Sequence, residues 1–123
     1  MKPKVDFERA LVIHGEYVDM ILNGKKTWEM RNRRTNIRET VGLIKSGSGE
    51  ICGTVELVEC KGPLTLKEYR TNARKAGMKP SDISRSYLPA FAWVLKNPKK
   101  FRKPIKYKHP SGAIIWVNVK KAI

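Results

Sequence analysis

The stretch Gly24-Lys25-Lys26-Thr27-Trp28-Glu29-Met30-Arg31 joins a helix stop to the start of a strand, and the rest of the chain is read outward from it. Asn23-Gly24 supplies the left-handed cap of a helix that begins at about Glu16 and gathers Val18, Ile21 and Leu22 on one face. From Thr27 the chain alternates as a strand does, with Thr27, Glu29 and Arg31 on one face and Trp28 and Met30 on the other. Lys26 then stands at the mouth between helix end and strand. A cation, a carboxylate and a guanidinium gathered there suit a polar, anionic or nucleobase-like ligand. The carboxylate accepts from a base amino group, while Lys26 and Arg31 hold phosphate or carbonyl oxygen. The trio also has the groups for acid–base work if burial raises the Glu29 pKa or lowers that of Lys26. From spacing alone, a plain Glu29–Arg31 ion pair with no chemistry is the better reading.

Upstream, Ala10-Leu11-Val12-Ile13 is a short apolar run of the kind that makes a buried strand, and His14-Gly15 turns the chain into the helix. Downstream, residues 41–45 and 51–59 read as a hairpin joined by Ser46-Gly47-Ser48-Gly49, which lacks the Gly-Lys-Ser/Thr of a phosphate-binding loop. Thr65 and Glu68 form a capping box for a helix expected to run to about Ala76 and to end at Gly77, with Lys67, Arg70, Arg74 and Lys75 as a basic face. A helical turn is expected over residues 81–87, and strands over 91–95 and 113–119. Five or six short strands with two or three helices predict an α+β domain built on a small mixed β-barrel. At 123 residues, with 41% hydrophobic and 30% charged side chains, the chain is one domain with a core.

Charge is the feature that narrows function. Lys plus Arg number 26 and Asp plus Glu 11, a formal net charge of +15. All the acids lie in residues 1–82. The densest cationic stretch, residues 96–108, carries Lys96, Lys99, Lys100, Arg102, Lys103, Lys106 and Lys108 interleaved with Phe101, Tyr107 and two prolines. Read as a loop, it holds cations that repel one another until a polyanion relieves them, with rings on which unpaired bases stack. Its prolines exclude an amphipathic membrane helix. Arg33, Arg34 and Arg38 follow the Gly24 stretch and extend positive potential from its mouth, where they suit phosphate contacts. Lys25 joins them, and Tyr17, upstream of the cap, is a stacking candidate.

The remaining reactive residue types point to little chemistry. Cys52 and Cys60 lie on one expected strand, eight residues and roughly 26 Å apart, so they are read as reduced thiols. With His14 and His109 they make no metal spacing, and neither metal nor cofactor is expected. His14 and His109 are candidate acids or bases, though lone histidines at such junctions are usually structural. Trp28, Trp93 and Trp116 read as core. No apolar run is long enough to cross a membrane, and the start Met1-Lys2-Pro3-Lys4-Val5-Asp6 lacks a secretory apolar stretch, so a cytoplasmic protein is expected.

These motifs, taken in order, resemble the ASCH family, whose signature reads G-x-K-x-x-E-x-R. The resemblance runs from Ala10-Leu11-Val12-Ile13 through the Gly24 stretch and Ile51-Cys52-Gly53-Thr54-Val55-Glu56-Leu57-Val58-Glu59-Cys60. It continues through Ala92-Trp93-Val94-Leu95-Lys96-Asn97-Pro98 to Pro104-Ile105-Lys106-Tyr107-Lys108, Gly112 and Trp116. It implies a PUA-like barrel with a cleft beside the signature that binds RNA or other nucleic acids, with the signature Lys, Glu and Arg at Lys26, Glu29 and Arg31. With the basic stretch and its rings, the chain is read as binding RNA in single-stranded or looped form. It also brings two enzymatic alternatives. One is a metal-independent ribonuclease using the same cleft, with Lys26 or Arg31 on the phosphorane and Glu29 or a histidine as base. The other is an amidohydrolase of a modified nucleoside such as N4-acetylcytidine. That branch carries a nucleophilic Thr where this chain has Glu29; Thr27 lies two residues earlier on the same face, and Glu68 falls in the general region of a further glutamate.

Overall fold

The computed structural model describes residues 5–123; Met1-Lys2-Pro3-Lys4, part of the start read above, lies outside the described residues. The elements follow as strand β1 (Arg9–Ile13), helix α1 (Gly15–Leu22), strands β2 (Trp28–Arg31), β3 (Glu39–Lys45) and β4 (Glu50–Leu64), helix α2 (Leu66–Thr71), two single 3-10 turns (Pro80–Asp82 and Arg85–Tyr87), strands β5 (Ala90–Lys106) and β6 (Trp116–Asn118), and helix α3 (Val119–Ala122). The six strands form one mixed sheet in the order β2-β5-β4-β3-β1-β6. Among the described residues only β1 and β3 run parallel; the remaining neighbours are antiparallel. The architecture is α+β, as expected from the sequence.

The sheet curls far enough for side chains to bridge its two ends. Trp93 on β5 stacks on Trp116 of β6, with ring centroids 6.0 Å apart and planes 12° apart. Arg31 on edge strand β2 donates to the carbonyl of Val12 on β1 at 3.0 Å. Inside the curl lies the main core, with Leu11, Ile13, Val41, Leu43, Val55, Leu57, Trp93 and Leu95 from the strands and Val18 and Ile21 from α1. Strand alternation sends Ala10, Ile44, Ile51 and Val117 to a second core with Phe7 and Val119. Gly53 lets α1 sit against the β4–β5 crossing, because a Cβ there would reach the Lys99 carbonyl and stand 2.8 Å from Leu22 Cδ2.

Three expectations are corrected. Residues 96–106 are not a loop but the second half of β5, paired to β4 from Glu56↔Lys96 to Glu50↔Lys106. Phe101 and Ile105 pack inward, Phe101 stacking on Phe7 with centroids 6.2 Å apart. Pro98 and Pro104 sit where the pairing slips, so the N–H that each lacks is not needed there. Asn97, at φ 53°, turns the first bulge, and its amide donates to Glu56. Second, α2 stops at Thr71 instead of Ala76. The Asn72 side chain donates to the Glu68 carbonyl at 2.8 Å, a local bond that competes with continuing the helix. Third, the final strand is limited to Trp116–Asn118.

The capping box forms as read: Thr65 Oγ1 accepts from the Glu68 amide at 3.0 Å, and Glu68 Oε1 accepts from the Thr65 amide at 2.8 Å. These bonds hold the Glu68 carboxyl below its ordinary pKa. Cys52 and Cys60 are free thiols on β4, the first buried and the second half-buried.

Candidate nucleic-acid interface

The helix stop works through two backbone bonds. The amides of Lys25 and Lys26 both donate to the Met20 carbonyl, at 2.9 and 3.0 Å, and Gly24 takes φ 83° to permit the turn. This winding turns Lys26 inward and leaves Lys25 at the surface. Lys26 is therefore beneath the mouth and not at it, with 3% of its surface exposed. Its ammonium donates to the carbonyls of Trp28 at 2.6 Å and Ala76 at 2.7 Å, and stands 3.5 Å from Glu29 Oε1. All three of its donor directions are occupied. It also lies 4.8 Å from the centroid of the Tyr17 ring.

Glu29 completes the network. It is 6% exposed, and its Oε2 accepts from Arg31 Nε at 3.0 Å and pairs with Nη2 at 2.8 Å. The Arg31 guanidinium also lies 5.7 Å from the Trp93 ring centroid. Burial pushes the Lys26 ammonium below its ordinary pKa; Glu29 opposes that shift and Arg31 adds to it. The three signature side chains thus tie the 72–77 turns, β2, β5 and β1 to one another.

Above this network, α1 and the segment from Arg74 to Asp82 enclose a cleft of about 780 Å³. Tyr17, Met20 and Met78 give it apolar walls, and Lys25, Arg74, Lys75 and Lys79 give it cations. Thr27, Glu16 and Asp82 complete its polar lining. Gly77, at φ 72°, makes the wall thin: a Cβ there would come 2.9 Å from Met20 Cε and 3.3 Å from Lys26 Cδ. Burial first, then Glu16, pushes the Tyr17 phenol up, so it stays protonated at neutral pH.

Of the other residues singled out from sequence, Lys96, Lys99, Lys100, Arg102, Lys103, Lys106 and Lys108 are all exposed, and among the described residues none makes an ion pair. Arg33 is exposed and offers its carbonyl to Trp93 Nε1 at 3.0 Å. Arg34 donates to the Gly62 carbonyl at 2.7 Å and covers the Phe91 ring. Arg38 is bound to the carbonyls of Thr35 and Ile37. These two arginines are therefore partly engaged with the fold. His14 is exposed and edge-on to Tyr17. His109 is held on both nitrogens, 2.6 Å from the Ala113 carbonyl and 2.8 Å from the Tyr107 hydroxyl. Because a carbonyl only accepts, Nε2 carries a proton.

The ASCH domain model matches residues 11–105. The chain belongs to the ASCH family. Among solved structures, this ASCH domain is similar to ASCH from Zymomonas mobilis at 21% identity, covering 80% of this chain and 73% of that one with a TM-score of 0.67. It is also similar to two mutant proteins of the same ASCH, at 20% and 21% identity, covering 80% of this chain and 75% and 73% of theirs, both with a TM-score of 0.66. At that identity the likeness establishes the fold. No curated protein matches the chain. The family is PUA-like and associated with RNA binding.

Sequence reading missed much of the ASCH cleft. Met20, Met78, Lys79 and Asp82 line it, yet none stands in the signature. The one usable signal was Gly77, the glycine that turns the chain back over Lys26. The basic face assigned to the second helix divides: Arg74 and Lys75 reach the cleft, whereas Arg70 donates to the Ile83 carbonyl at 3.0 Å. Among the described residues no three His, Cys, Asp or Glu side chains cluster to hold a metal ion, and no helix is long and apolar enough to cross a membrane.

Proposed function

We propose that this ASCH domain binds RNA in single-stranded or looped form, taking a nucleotide in the cleft between α1 and the 74–82 segment and gripping phosphates along β5. The observation that carries the reading is the row of seven exposed cations from Lys96 to Lys108, none of them ion-paired among the described residues. Six of the seven, Lys96 to Lys106, stand on β5, whose backbone is already ordered by pairing with β4, so no backbone ordering is needed when a polyanion arrives. In the cleft, Tyr17 offers a ring for stacking beside the apolar side chains of Met20 and Met78, and Lys25, Arg74, Lys75 and Lys79 supply phosphate donors. Lys26, Glu29 and Arg31 serve this site by holding its walls. Arg33 extends the positive surface beyond the end of β2.

A mobility-shift assay tests the reading. The full chain is incubated with labelled single-stranded and hairpin RNA, with chelator, over a salt series. Intact, shifted RNA whose affinity falls steeply with salt is the expected result. Absence of a shift at low salt overturns the proposal. Cleavage in the presence of chelator replaces it with a metal-independent ribonuclease in the same cleft.

A further inference from the structure

A second, smaller pocket adjoins the cleft. It encloses about 200 Å³ and is floored by Ile21, Val55 and Leu95, with buried Lys26 also in its lining and Lys96, Asn97 and Pro98 of the first β5 bulge at its rim. Gly24 and Thr27 line both cavities, so the two meet at a saddle formed by these residues. The saddle is open: a Cβ on Gly24 would meet nothing within 4 Å. It is also rigid. The Thr27 amide donates to the Lys75 carbonyl at 2.9 Å, and its carbonyl accepts from the Leu95 amide at 2.8 Å. The hydroxyl of this exposed threonine is the polar group left over, with no partner among the described residues. Beyond the smaller pocket, β5 continues directly into Lys99 and Lys100.

We infer that the two cavities receive two successive nucleotides of one RNA strand, with the linking phosphate lying over Thr27. The inference rests on the RNA reading above and deepens it. Thr27 donates its hydroxyl to a phosphate oxygen, and Lys25 and Lys96 flank the saddle from the two cavities. The larger cavity takes a base against Tyr17. The smaller, apolar one takes the next base against Pro98 and Leu95, and its size suits a pyrimidine. A strand leaving it passes onto the cations of β5. The unit recognised is therefore a dinucleotide step, and not an isolated nucleotide with unspecific phosphate contacts around it.

Calorimetric titration of the full chain with cytidine 3′,5′-bisphosphate, the dinucleotide pCpC and a cytidine hexanucleotide tests this. The bisphosphate carries a phosphate at the linking position without the second nucleoside. As a terminal monoester it bears about one more negative charge than the linking diester, so tighter binding of pCpC reports the second nucleoside and not charge. The dinucleotide is expected to bind about tenfold more tightly than the bisphosphate, the gain of placing one further base. Thr27→Tyr, a substitution at an exposed strand-side position, should cover the saddle and bring the dinucleotide to the level of the bisphosphate. Thr27→Val should weaken the bisphosphate about fivefold through loss of one hydrogen bond. A hexanucleotide that binds while pCpC and the bisphosphate stay within about twofold of each other overturns the dinucleotide site and leaves the RNA reading standing. Unchanged binding of the bisphosphate to Thr27→Val overturns the placement of the phosphate. A hexanucleotide that fails to bind at low salt removes both readings together.

Discussion

Two groups of charge in this domain obey opposite physics. Buried Lys26 and Glu29 and half-buried Arg31 lie beneath the cleft, Glu29 pairing with both cations, and the cations reach the carbonyls of Val12, Trp28 and Ala76. The cations of the second half of β5 stand in solvent, held apart by strand geometry, with no carboxylate engaged among the described residues. The first group has almost nothing left to offer a ligand and much to offer the fold. The second stabilises nothing in the free protein and is available to a polyanion. A charge serves binding in this molecule where the fold leaves it unmatched, and serves architecture where the fold surrounds it.

The sharpest way to break this comparison is Glu29→Ala. It strands a buried ammonium and a half-buried guanidinium without their carboxylate, and the unfolding free energy should fall by about 3–5 kcal/mol in a urea titration. A loss below about 1 kcal/mol, the worth of an exposed pair, would mean that the trio does not hold the fold. Next in size is the combined change Lys99→Glu, Lys100→Glu and Arg102→Glu. RNA affinity at low salt should drop about a hundredfold, with a shallower salt slope. The urea midpoint should hardly move, since surface substitutions of this kind change stability by roughly 0.5 kcal/mol or less each. Loss of folding with intact affinity would invert the comparison.

A smaller effect is expected in α2, the helix that precedes the 74–82 wall of the cleft. Thr65→Ala removes the cap of α2 and should cost about 1 kcal/mol of stability while leaving the buried trio in place. The smallest is a pH dependence. Lys26 has a lowered pKa in the folded chain, whereas unfolded lysine titrates at about 10.4. Between those values the unfolded state binds more protons, so stability rises with pH. Lys26→Met removes that slope, and the stability difference between wild type and variant should grow in favour of wild type as pH is raised from neutrality toward 10. A flat difference would mean that the ammonium is not desolvated.

The contrast also marks where reading from residue types succeeded. The helix stop at Gly24, the alternation of Glu29 and Arg31, the capping box at Thr65 and the core placement of Trp93 are local or periodic, and each was legible. Residues 96–106 misled because cations and prolines together carry the composition of a loop. What makes them a strand is the partner β4, whose register slips accommodate both prolines. Lys26 misled by a single residue: adjacent lysines are indistinguishable in sequence, and the bifurcated bond to the Met20 carbonyl decides which turns inward.

By itself the sequence determined the elements set by local stereochemistry, the surplus of positive charge and its crowding into the last third of the chain, and the presence of a cation, a carboxylate and a guanidinium on one short segment. Only the tertiary structure decided which of those charges are neutralised. That depends on contacts between residues far apart in the chain, such as Lys26 with Ala76, Arg31 with Val12 and Thr27 with Lys75 and Leu95. Composition counts charges, but the solvation and pairing that govern their energy exist only once the sheet has curled and the 72–82 segment has folded back across α1.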